Sequence, residues 1–192
     1  MNEKTRCPWA GNTDIYIEYH DKEWGRPVHD DVKLFELLIL EGMQAGLSWI
    51  TVLKKRDAFR EAFDGFDPDR VALYGEKKIE ELIINEGIIR NRLKIHAAVT
   101  NARAFLEIIK EYGSFDKFIW DYVNHTPVTG HWQKMQDVPV STPLSDRISK
   151  DLKKLGFKFV GSTIVYSFMQ AAGLVNDHIA DCFVSSEAVK GH

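Results

Sequence analysis

The strongest constraint on this chain is its punctuation. From position 32 to 172, apolar residues recur at helical spacing and are divided at short intervals by a cap or a breaker. Sustained period-2 alternation, the mark of a half-buried strand, is found nowhere. Asp30 and Asp31 precede a run over 32–43 in which Phe35, Leu38 and Ile39 share one face while Leu34, Leu37 and Leu40 fill much of the rest, so this helix should be buried on most sides. Ser48 caps a second helix over 49–63, and Asp67-Pro68 is a cap with a first-turn proline that opens a short one. A helix over 76–86 should end at Gly87 in a left-handed cap. The long run over 90–112, with Leu93, Ala97, Ala98, Ala102, Phe105, Leu106 and Ile109 inward, is closed by Gly113. Ser114 caps the next helix, Ser145 caps one over 147–155, and the last clear helix covers 162–172. Residues 124–142 hold Pro127, Gly130 and Pro139 without periodicity and read as a surface loop. The expected fold class is all-α, in one domain, without repeats.

Composition narrows the function classes. At 192 residues, 44% hydrophobic and 28% charged, the chain can bury a core and is neither disordered nor fibrous. Two cysteines are too few for a secreted disulfide framework, and no run of apolar residues is long enough for a membrane span, so a cytoplasmic location without membrane partners is expected. The net charge of −3 offers no whole-chain attraction to nucleic acid, so any such binding must be local.

Three constellations carry chemistry. His178 and Cys182, at i and i+4, would face one ion from a helical turn, and both cysteines of the chain, Cys7 and Cys182, have a histidine nearby, His20 and His178. A four-ligand sulfur and imidazole site suits zinc, would join the chain ends and would leave no position for a catalytic water; the plainer reading is a buried cysteine and a capping histidine. The second is the aromatic set Trp9, Tyr16, Tyr19, Trp24 and Trp49 with Glu41. Aromatic residues at helical spacing are commonly core, but with a carboxylate they also make a cage for a flat or cationic ligand. Glu41 lies in the most apolar helix, where it needs either a basic partner or a ligand. The third is 150–161, where Lys150, Lys153, Lys154 and Lys158 outnumber Asp151 and lead into a glycine-bounded turn. That is either a solvated face or a helix, hairpin and helix that holds a phosphate through backbone N–H groups.

Taken together, Cys7-Pro8-Trp9, the block from Tyr16 through His20 to Gly25, Leu40-Glu41-Gly42-Met43-Gln44-Ala45-Gly46-Leu47-Ser48-Trp49, Gly156-Phe157-Lys158-Phe159-Val160-Gly161 and Asn176-Asp177-His178 closely resemble the bacterial DNA-3-methyladenine glycosylase I family over nearly the whole chain. The resemblance implies a two-lobed helix-hairpin-helix fold, with the hairpin element at about 147–173, and a monomer acting on double-stranded DNA that contains alkylated adenine. It implies release of free 3-methyladenine by a monofunctional glycosylase that does not cleave the strand. Position by position, Cys7, His20, His178 and Cys182 match ligands of one structural zinc ion. Glu41 matches the acid that hydrogen-bonds the extruded base, and Trp49 and Tyr16 match its stacking aromatics, with Trp9, Tyr19 and Trp24 around them. Gln44, Ala45, Gly46 and Leu47 match the turn that enters the duplex, with Leu47 as the plug, and Lys158 and Gly161 of the hairpin are expected DNA contacts.

Overall fold

The computed structural model describes residues 4–188. Its helices are α1 (Asp14–Lys22), α2 (Asp31–Gln44), α3 (Trp49–Leu53), α4 (Arg56–Ala62), α5 (Pro68–Ala72), α6 (Glu76–Ile84), α7 (Arg92–Tyr112), α8 (Phe115–Asp121), α9 (Pro143–Lys154), α10 (Ser162–Ala171) and α11 (Phe183–Ala188). None is long and apolar enough to cross a membrane. The fold is mostly helical, as the punctuation predicts.

Helix α2 is the axis of the larger core. It is buried from Leu34 to Met43 and packs against α3, α7, α8 and α10. The aspartates before it divide the work. Asp30 accepts the Lys33 amide at 2.8 Å, while Asp31 turns to the neighbouring α8 and accepts the amides of Phe115 at 3.0 Å and Asp116 at 2.8 Å. One Asp-Asp pair therefore caps two helices and fixes their angle. Phe35, Phe105 and Phe115 stack in the space between, each fully buried and each worth roughly 1.5–3 kcal/mol of apolar transfer.

Several boundaries differ from the sequence expectation, each for a local reason. The helix expected over 49–63 breaks at 54–55. Lys55 leaves helical geometry and donates to the carbonyls of Glu86 and Gly87, and Arg56, starting the new helix, forks onto Glu23 at 2.7 and 2.8 Å. Gly87 is not a left-handed cap. Helix α6 ends earlier, and the Asn85 side chain accepts the Gly87 amide at 2.8 Å to close the turn. Helix α9 begins at Pro143, with Thr142 as its cap, and Ser145 is the reciprocal member of a capping box. Leu93 is 72% exposed, because α7 turns its first residues to solvent. Gly113 does take the left-handed cap, at φ +88°.

The stretch 124–142 is not a free surface loop. Strand β1 (Val128–Thr129) pairs in parallel with β2 (Val175–Asn176), Val128 opposite Val175 and Thr129 opposite Asn176, a ladder too short to leave a periodic signature. A second, smaller hydrophobic cluster gathers the two ends of the chain: Cys7, Tyr19, Trp24, Leu53, Ile179, Cys182 and Val184. Trp9, Tyr16, Trp132 and Met135 pack on its rim, and Trp49 touches both clusters.

Candidate metal centre and base pocket

The ligand atoms of Cys7, His20, His178 and Cys182 all lie within 4.8 Å of one another, and all four residues are buried. His178 and Cys182 are not on a helical turn as the spacing suggests. His178 leaves β2 in extended chain and Cys182 sits in the turn before α11, with its amide bonded to Ile179 O at 2.9 Å. The convergence survives because both imidazoles are aimed from behind. His178 Nε2 donates to Trp24 O at 3.0 Å, leaving Nδ1 3.5 Å from Cys7 Sγ and 3.4 Å from Cys182 Sγ. His20 Nδ1 is 2.8 Å from Asp21 Oδ1, a carboxylate also forked by Arg6, and its Nε2 is 3.5 Å from Cys182 Sγ. Each histidine thus has its outer nitrogen engaged and its inner one presented, the outer-shell pattern of metal-ligating imidazoles. The thiol of Cys182 is held below the ordinary range by a hydrogen bond from Cys7 and by both imidazoles, while that partnership and burial push Cys7 up. Two sulfurs and two nitrogens around one point can hold a metal ion. Gly25, at φ +73°, makes room for the outer edge of the His178 ring: a Cβ there would lie 3.1–3.2 Å from its Cδ2 and Nε2.

Beside this centre lies a cavity of about 320 Å³ lined by Trp9, Tyr16, Tyr19, Trp24, Glu41 and Trp49, the whole set singled out from sequence. Helix α1 supplies the two tyrosines one turn apart and α2 supplies Glu41 from its last turns. The rings form an interlocked box: Trp9 meets Trp24 edge-on at 4.9 Å and Tyr16 at 5.6 Å, and Tyr19 is tilted on Trp49 at 5.4 Å. Trp24 also sits edge-on to His178 at 4.6 Å, so the cysteine–histidine cluster backs the box. Glu41 is 4% exposed and has no hydrogen-bond or ion-pair partner among the described residues. Burial alone raises its carboxyl to about 8. Desolvation, reinforced by Glu41, keeps the phenols of Tyr16 and Tyr19 protonated. Trp49 Nε1 is buried without a hydrogen-bond partner among the described residues. The box therefore leaves an acceptor and a donor unsatisfied, an arrangement a folded chain tolerates where a ligand binds.

The chain leaves the pocket through a tight turn. Ala45 at φ −48°, ψ 117° and Gly46 at φ +81° make a type II turn closed by Leu47 N to Gln44 O at 2.7 Å, with Gln44 Nε2 returning to Leu47 O at 2.9 Å. Leu47 projects 40% exposed at its end. Lys94, which the sequence reading did not single out, anchors the turn: its buried ammonium donates to Met43 O at 2.9 Å and Ala45 O at 2.6 Å, neutralising the carbonyl end of α2.

The hairpin 156–161 joins α9 to α10 and is likewise held by a residue from α7. Asn101 donates to Lys158 O at 3.0 Å and accepts the Lys158 amide at 2.7 Å, and Ser149 Oγ donates to Val160 O. Phe159 is thereby kept at φ +54°, and the amides of Phe159 and Gly161 have no acceptor among the described residues. Asp146, Lys150, Lys153, Lys154 and Ser162 line a depression beside it. The other basic run is largely committed inside the protein: Arg56 to Glu23, Arg60 to Glu36, Lys55 to backbone carbonyls. Lys94 and Asn101 lie seven apart on α7 around Ala98; two polar residues on its apolar stripe were the available signal.

Asp177 is buried at 1% and gathers three donors: Trp132 Nε1 donates to Oδ1 at 2.7 Å, and Tyr166 and Gln170 both donate to Oδ2, Gln170 at 2.8 Å. Tied to three side chains, it is a structural carboxylate.

Comparison with known proteins agrees in extent with this geometry. The family described as methyladenine glycosylase matches residues 9–185. The chain is 52% identical over 178 residues to the DNA-3-methyladenine glycosylase of Haemophilus influenzae, spanning 93% of this chain and 96% of that protein. A crystal structure of 3-methyladenine DNA glycosylase I superposes with a TM-score of 0.91 at 54% identity, covering 93% of this chain and 98% of that one. The Staphylococcus aureus 3-methyladenine DNA glycosylase I, solved for the structural basis of its 3-methyladenine recognition, superposes at 0.90 with 42% identity over 93% of this chain and 95% of its own. With the box, the turn, the hairpin and three of the four cluster residues, His20, His178 and Cys182, inside residues 9–185, the chain belongs to the methyladenine glycosylase family.

Proposed function

We propose that this chain is a DNA repair glycosylase that extrudes 3-methyladenine from alkylated double-stranded DNA and hydrolyses its N-glycosidic bond. The observation that carries the reading is Glu41, a buried carboxylate left without a partner inside a box of electron-rich rings. A base in a duplex cannot be reached in place, so it must be turned out, stacked and read along its edge. N3-methylated adenine in DNA is a cation with a weakened glycosidic bond. Rings of Trp49 and Tyr16 stack on it, with Trp9, Tyr19 and Trp24 around them, each good contact contributing about 0.5–2 kcal/mol. Glu41 accepts a hydrogen bond from the exocyclic amine, and the arriving positive charge returns it to its ionised form. Water adds to the sugar carbon, the bond to the base breaks with its electron pair leaving on the base, and the water's proton is released with neutral 3-methyladenine. No lysine lines the cavity among the described residues, which supports a monofunctional reaction without an amine nucleophile or strand cleavage.

Leu47, lifted by the turn of Gln44, Ala45 and Gly46, fills the space the base vacates. The hairpin amides, Lys158 and Gly161 take a phosphate within a helix-hairpin-helix element at about 147–173 of a single two-lobed domain. Cys7, His20, His178 and Cys182 would hold one structural zinc, which would brace the wall behind Trp24 and, with four protein ligands, would serve the fold and not the chemistry. A monomer working in the cytoplasm suffices. The test is chromatography of bases freed from methylated DNA: free 3-methyladenine supports the reading, and DNA affinity without any free base would replace it with a lesion-binding role. Metal analysis should return one zinc per chain with a two-sulfur, two-nitrogen coordination spectrum.

A further inference from the structure

The cavity has a wall that does not belong to the aromatic set. Met135, Val138 and Pro139 line it beside the polar Gln44, Ser167 and Gln170, and these three apolar residues all come from the stretch 124–142. That stretch is built to hold a position. Val128 N and Gly130 N bond to Leu174 O at 2.9 Å and Asn176 O at 2.8 Å, Ala180 N bonds to Trp132 O at 2.9 Å, and Trp132 Nε1 reaches Asp177 at 2.7 Å. A Cβ at Gly130 would collide with Trp132 Nε1 and Asp177 Oδ1, so glycine is what lets the indole fold back onto the carboxylate. The following turn, Met135–Asp137, is closed by the Asp137 side chain on the Lys134 amide at 3.2 Å. The thioether, the valine and the proline ring that result can discriminate only by shape.

We propose that this wall sets the size limit of the base, admitting a methylated adenine and rejecting longer N3-alkyl adducts, with Met135 as its specificity-determining residue and Trp132 as the positioning residue. The inference rests on the glycosylase reading above. A pocket that discriminates by one methylene is worth about 10–200-fold, so relaxing the wall has a bounded effect. The experiment measures release of 3-ethyladenine relative to 3-methyladenine from ethylated and methylated DNA by wild type, Met135→Ala and Trp132→Phe. Met135→Ala enlarges the cavity without touching an anchor, and Trp132→Phe keeps the ring but removes the hydrogen bond to Asp177. The expected result is a wild type that favours 3-methyladenine and a ratio that shifts toward 3-ethyladenine by about 3–10-fold in both variants, with thermal unfolding still cooperative. An unchanged ratio in folded Met135→Ala overturns the proposal, as does a wild type that releases both bases equally. A wild type that frees no 3-methyladenine sinks the glycosylase reading itself and takes this inference with it.

Discussion

The two halves of α2 each bury a glutamate, and they treat it in opposite ways. Glu36, in the N-terminal half, is 5% exposed and receives Arg60 through Nε at 3.1 Å and Nη2 at 2.8 Å, with Lys33 beside it. Glu41, in the C-terminal half, is 4% exposed and receives no donor among the described residues. Five residues rotate the helix from a face that meets α4 to one that meets an aromatic cavity, and the cost of a buried charge changes from offset to standing. Asp177 repeats the satisfied case at the exit of β2, with three donors on two oxygens. The difference separates roles among residues of one type at similar burial. Carboxylates with buried or charged donors on their oxygens organise the fold, and Glu41, with no partner among the described residues, is the candidate ligand-binding group.

The same substitution at the two glutamates should therefore register in different measurements, base release at Glu41 and folding stability at Glu36. Glu41→Gln is expected to lower 3-methyladenine release by about 10²–10³-fold, the loss typical of a preorganised charge in a dry site, while zinc content stays unchanged. Equal loss of both would make Glu41 structural. Its stability effect should depend on pH. The folded carboxyl near 8 stands above its ordinary value of 4.5, so the folded state keeps a proton that the unfolded chain gives up. The stabilisation is complete below about 4.5 and is lost as pH rises to about 8, at roughly 1.4 kcal/mol per unit, or a few kcal/mol in all. Denaturant midpoints at pH 5.5 and 8.5 should diverge for the wild type and not, on this account, for Glu41→Gln; parallel curves would show that Glu41 has a partner in solution.

Asp177→Ala should cost about 3 kcal/mol, since it strands the indole of Trp132, the phenol of Tyr166 and the amide of Gln170 together. A midpoint shift near zero would contradict its structural assignment. Glu36→Gln should lose about 1–2 kcal/mol by weakening the Arg60 fork, discounted because Arg60 is partly exposed; a gain in stability would erase the contrast within α2. The smallest effect belongs to Leu47→Ala, whose exposed side chain contributes little to the fold. Melting temperature should hold, and base release from duplex DNA should fall severalfold while release from single strands changes less. Equal losses on both substrates would remove the plug role.

The parts legible in sequence were those encoded by near neighbours. The burial of α2, the Asp30 and Ser114 caps and the Gly113 terminus follow from spacing along the chain, while the four-residue cysteine–histidine cluster was named by the family resemblance and not by spacing. What escaped were decisions made by partners far away. Lys55 ends α3 because the carbonyls of Glu86 and Gly87 are within its reach, and Leu93 fits the period of α7 yet faces solvent because no element covers it. The stretch 124–142 looked irregular and surface-bound, yet its anchors lie on β2 and Asp177.

Helical periodicity, caps and the kinds of chemistry available were thus determined by the sequence alone, because they depend on contacts within a turn or two of chain. It also named the six residues of the box and the four of the cluster. Only the tertiary structure decided which buried carboxylate has a partner, which nitrogen of each histidine faces the sulfurs, and that Lys94 and Asn101 brace the turn and the hairpin from one helix. Those are pairings across long loops, where satisfaction or its lack exists only once the chain has closed on itself.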